Sequence, residues 1–105
     1  MRVARHETML QYKDTGFFMQ NIHESENLKV LSFTFRAGQS LPLHSHDLDG
    51  ELTITVLAGR GEFLGAEGVT LPAEPGDVLI ARIREPHGIQ AGTDMTVLVT
   101  IAPPI

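Results

Sequence analysis

Ten glycines and six prolines punctuate this 105-residue chain so often that every segment between them is short. An amphipathic helix needs about ten or more residues with apolar positions three and four apart, and such a pattern is absent between the breaks. The segments instead alternate or run continuously apolar, which is the pattern of strands. Strands are expected at Phe17–Ile22, Leu28–Arg36, Glu51–Ala58, Glu62–Gly65, Val69–Leu71, Val78–Ile83, His87–Ala91 and Met95–Ile101. Between them lie turn sequences such as Gly59-Arg60-Gly61, Glu74-Pro75-Gly76-Asp77 and Gly92-Thr93-Asp94, where glycine supplies positive φ and proline fixes it. The expected class is therefore all-β, a small antiparallel barrel or jelly roll, because closing the sheet is the economical way for a short chain to limit open edges.

A chain of this length has room for one core, so residues 1–105 are read as a single barrel domain. Residues 1–16 stand apart: His6–Lys13 fits an extra strand, a helical turn or an arm reaching a neighbour. Eight basic against 13 acidic residues leave a net charge of −5, and Lys13 and Lys29 are the only lysines. That balance argues against a nucleic-acid partner, which needs a basic surface to meet phosphates. No apolar run approaches the roughly 18–20 residues of a membrane span, and the first residues do not resemble a signal peptide. A cytoplasmic protein is expected, consistent with the lack of cysteine.

Without cysteine, any metal here must be held by nitrogen and oxygen donors. Five histidines are available, and two of them form His44-Ser45-His46. Side chains at i and i+2 of an extended segment share one side about 6.5–7 Å apart, close enough for two imidazoles to converge on one ion. After the Asp47–Gly50 turn, Glu51 returns on the next strand and can bring a carboxylate to the same point. Taken alone, such a pair can equally be a polar loop. In a second segment, the turn Pro75-Gly76-Asp77 feeds an apolar strand that ends at His87, between Pro86 and Gly88. A lone histidine of that kind is often solvent-facing or hydrogen-bonded within a core.

Together the two segments resemble the paired motifs of the cupin family. Gly38, five residues, His44-Ser45-His46, four residues and Glu51 follow the first motif as far as its glutamate. Gly76 and His87 have between them the ten residues that the second motif requires. The resemblance spans most of residues 17–101 and implies a double-stranded β-helix barrel around one divalent transition metal. Carried over position by position, the implied ligands are His44, His46, Glu51 and His87. The donor types suit Fe, Mn, Ni, Co, Cu or Zn without selecting one. A homodimer and a small-molecule ligand are also implied. The expected activity is that of a metalloenzyme, with dioxygenase-like chemistry ahead of isomerase or decarboxylase chemistry; the alternative is a non-catalytic binder or sensor of small ligands.

The chain departs from the family pattern in ways that bear on the site. Seven residues, not six, separate Glu51 from Gly59, so a one-residue offset must be absorbed somewhere. If it lies in the Asp47–Gly50 turn, Leu52 takes the carboxylate position and three histidines remain. The second motif has Arg82, Arg84 and Ala91 where the family has Pro, Gly and Asn. Arg82 and Arg84 either form a solvated edge or clamp an anionic substrate. Asp47 and Asp49 are turn residues that could also act as a base. Phe33 and Phe35 are read as candidate substrate contacts, although alternating apolar residues in a small barrel are usually its packed core.

Overall fold

The computed structural model describes residues 1–105 and contains nine strands: β1 (Phe18–Glu24), β2 (Lys29–Phe35), β3 (Ser40–His44), β4 (Glu51–Ala58), β5 (Gly61–Leu64), β6 (Thr70–Ala73), β7 (Val78–Arg82), β8 (His87–Ala91) and β9 (Met95–Ala102). They form two antiparallel sheets, one in the order β1-β2-β9-β4-β7 and the other β3-β8-β5-β6. The expected all-β barrel is what the chain adopts. Alternation puts Leu31, Phe33 and Phe35 of β2, Leu52, Ile54 and Val56 of β4, and Val97, Val99 and Ile101 of β9 into one buried cluster between the sheets. Phe17 packs edge-on against Phe33 with ring centres 5.2 Å apart. No helix is long and apolar enough to cross a membrane.

β3 is a strand that the turn pattern conceals. Pro42 interrupts it, and its pairing with β8 shifts register between Leu41 and His44. Residues 1–16 form no strand. They carry a single 3-10 turn, His6–Met9, and Met9 is buried. The Thr34 hydroxyl donates to the Gln11 carbonyl, the Gln39 amide donates to Lys13 O at 2.8 Å, and the Arg36 guanidinium lies 4.2 Å over the Tyr12 ring. The arm is thus laid along its own barrel.

Two glycines fix the strands that bear the site. At Gly59, φ is +81° and an added Cβ would lie 2.0 Å from Asp94 O, so only glycine fits and the end of β4 is locked against the β9 hairpin. At Gly88 an added Cβ would lie 2.7 Å from Leu41 O; its absence lets β8 approach β3 closely.

Candidate metal centre

His44 and His87 are direct partners across the β3–β8 pair. Their ring centres are 4.5 Å apart, and those of His44 and His46 are 5.7 Å apart. Two imidazoles bound through Nε2 to one ion at about 2.0–2.1 Å have ring centres roughly 4.5–5.6 Å apart for ordinary coordination angles. The His44–His87 spacing therefore suits a shared ion, and the His44–His46 spacing lies just beyond that range. Nδ1 of His44 donates to Pro42 O at 2.7 Å, and Nδ1 of His87 donates to Glu85 O at 2.6 Å. A carbonyl can only accept, so these bonds put the proton on Nδ1 and leave the Nε2 lone pair free, the tautomer that metal ligation uses.

Burial also holds His87 in its neutral form. It is 4% exposed, and its pKa lies below the usual 6.5, chiefly because burial disfavours the charged ring. The backbone bond to Glu85 pulls the other way, the nearby His44 and His46 lower the pKa further, and the Glu85 charge opposes them. His46 is exposed and its ring has no hydrogen-bond partner within the chain, so it is free to turn. As the side chains stand, no three donors among His, Asp and Glu close around a single point. Donor type, tautomer and ring spacing fit a metal; completing the set calls for rotation of the least restrained ring, that of His46.

Glu51 does not join these histidines. It is exposed on the outer side of β4 and borders a polar surface groove with Asp49, Arg82 and Arg84. Leu52, 3% exposed, takes the inward position and lines the histidine cavity. Six residues separate Leu52 from Gly59, the family spacing, and the pairing of β4 with β9 shifts register within that stretch, between Val56 and Ala58.

Arg82 and Arg84 also lie outside. Both are exposed, and Arg84 is paired with Asp49 at 2.7 Å and Asp47 at 3.5 Å. That cluster is a solvated edge, and it occupies the two aspartates considered as bases. Of the two phenylalanines, Phe33 lines the cavity, whereas Phe35 is fully buried in the core and is not part of the lining. Sequence reasoning missed Lys29, which lines the cavity together with Ile105. The signal was present: Lys29 has the same strand parity as Leu31, Phe33 and Phe35.

The cavity has a volume of about 200 Å³ and apolar walls that include Leu31, Phe33, Ile54, Val99 and Ile101. A larger open cleft of about 450 Å³, between the β5–β6 hairpin and β7, also touches His87 but neither of the other two histidines. The smaller cavity, which all three imidazoles line, is the candidate site.

Fold and site together define a double-stranded β-helix protein with imidazoles clustered inside the barrel. Residues 31–102 match the cupin domain family, and the chain belongs to that family. Among solved structures it is 53% identical to an RmlC-like cupin protein from Desulfovibrio desulfuricans, with a TM-score of 0.97 over 100% of this chain and 99% of that one. A double-stranded β-helix protein from Klebsiella pneumoniae shares the fold at 21% identity and a TM-score of 0.90, covering 98% of this chain and 90% of its own. Ectoine synthase from P. lautus shares it at 18% identity and a TM-score of 0.77, covering 100% of this chain and 80% of its own. No curated protein matches the chain.

Proposed function

We propose that this cupin binds one divalent transition metal through His44, His46 and His87 and uses it to act on a small molecule in the adjoining cavity. The observation that carries this reading is the matched pair of Nδ1 bonds, His44 to Pro42 O and His87 to Glu85 O, which present two Nε2 lone pairs to the same space. Bound there, an ion supplies Lewis acidity and open coordination positions. The chain's own contribution is to orient the imidazoles, exclude water with Leu52, Ile54 and Val99, and seat the ligand against Phe33.

Dioxygenase-like chemistry remains the preferred activity, with isomerase or decarboxylase chemistry behind it. No Asp, Glu, Ser or Tyr lines the cavity, so beside the imidazoles and Lys29 no side chain there can relay a proton. That economy of groups also favours the second reading, a metal-dependent binder of small ligands without turnover. Oxygen consumption and product formation with a panel of enolic and phenolic substrates separate the two. Turnover by the native protein that is lost in His87→Ala supports the enzyme; binding without turnover supports the binder.

The proposed assembly is a homodimer formed along β7. Four strands end the two sheets. β3 carries Pro42, β6 carries Pro72, and β1 has an irregular register between Asn21 and His23, all devices that discourage edge pairing. β7 has no proline or bulge and exposes Val78 and Ile80, the latter at 70%. Asp77 and Arg82 put opposite charges at its two ends, so antiparallel pairing with a second copy brings unlike ends together.

A further inference from the structure

The inward row of β2 begins with a charge. Lys29 opposes Ile101 of β9 in register, and both residues line the histidine cavity. Inward-pointing lysines on edge strands guard against aggregation, but β2 lies between β1 and β9 and has no free edge to guard. The Lys29 side chain is 22% exposed; its Nζ donates to Ile105 O at 3.1 Å and is 4.0 Å from Glu24 Oε1. An ammonium has three donors, so these contacts leave it able to bind a further acceptor.

The rest of the lining completes the argument. Its polar side chains are one ammonium and three imidazoles, with no carboxylate among them. Apart from the imidazoles, whose lone pairs suit a metal ion, the one polar group free to meet a ligand is the Lys29 ammonium, which attracts an anion. The volume of about 200 Å³ is below the roughly 300–1,000 Å³ of sites for drug-sized ligands, and the walls between Lys29 and the imidazoles are apolar.

We infer that the ligand of this cavity is a compact organic monoanion, a carboxylate with a short apolar body, whose charged end is held by Lys29 and whose other end faces His44 and His87. This deepens the proposed function and rests on its reading of the cavity as the ligand site. Arg82 and Arg84, the cations that the motif suggests, are on the outer surface; Lys29 is the cation that lines the cavity.

The test compares acids with their uncharged amides. Calorimetric titration of zinc-loaded protein with the C3–C6 alkanoates and benzoate is expected to show binding of at least one acid, with its amide weaker by about tenfold or more. This comparison needs no variant. Lys29→Met, which keeps the length and apolar stem, is expected to remove the preference for the acid while leaving zinc content and thermal midpoint unchanged; Lys29→Arg is expected to retain it. Equal affinity for acid and amide, no binding by any acid of the panel, or an undiminished preference in Lys29→Met each overturns the inference. Zinc content distinguishes this failure from that of the metal reading: native protein that takes up no zinc sinks the latter, and the acid titration can still be run on the metal-free chain.

Discussion

His44 and His87 make the same bond: in each, Nδ1 reaches back two residues along its own chain to a carbonyl, Pro42 O in one case and Glu85 O in the other. Two strands from separate motifs thus present their imidazoles in one tautomer, across a single register position. Orientation set by backbone costs less than orientation set by further side chains, because the acceptors are already ordered by the sheet.

Native protein is expected to take up one equivalent of zinc or another divalent transition metal, and His44→Ala or His87→Ala to lower the affinity at least about 100-fold. Elemental analysis after dialysis against limiting metal checks this. Stoichiometric uptake by His87→Ala would remove the proposed centre.

Glu51 and Leu52 make opposite predictions. Glu51→Ala leaves metal affinity unchanged, since the side chain faces the outer groove. Leu52→Glu places a carboxylate beside the imidazoles. Without metal it is expected to lose about 2–5 kcal/mol of stability through lost packing and a buried acid. With metal it recovers part of that loss and binds the ion more tightly than native protein. Denaturant melts with and without zinc read both effects.

The neutral form of His87 contributes to pH dependence in the metal-free protein. Its folded pKa is depressed below 6.5, first by burial, so the unfolded chain takes up a proton there before the folded one does. The stability it contributes is present above the unfolded value of about 6.5 and is lost as the pH falls from there through the lower folded pKa. Urea midpoints at pH 7.5 and 5 are expected to differ less in His87→Gln than in native protein; an equal difference would mean that other groups set the slope.

Ile80→Lys is expected to yield a monomer by sedimentation equilibrium without unfolding it, since exposed positions change folding stability by only about 0.5 kcal/mol or less. Monomeric native protein, or an unshifted dimer in the variant, would rule out the β7 interface.

Alternation and turn chemistry make eight of the nine strands legible in the sequence, together with the three histidines that line one cavity. β3 is obscured because Pro42 and a register shift break the alternation that marks a strand. The position opposite the histidines has two readings. Counting forward from His46 selects Glu51, and counting back from Gly59 selects Leu52. The choice depends on the register of β4 against its neighbours, including its irregularity between Val56 and Ala58, and the fold turns Leu52 inward. Arg82 and Arg84 share a face as expected, but only the fold shows that this face is outside. Lys29 needed no fold to be noticed, only attention to the parity of β2.

β4 is held at both ends, by Gly59 against Asp94 and by Gly50 against Ala102. A strand pinned twice cannot slip by one residue to bring Glu51 inward. Only a point substitution at position 52 can therefore place a carboxylate on the inward row of β4 that faces the histidine cavity.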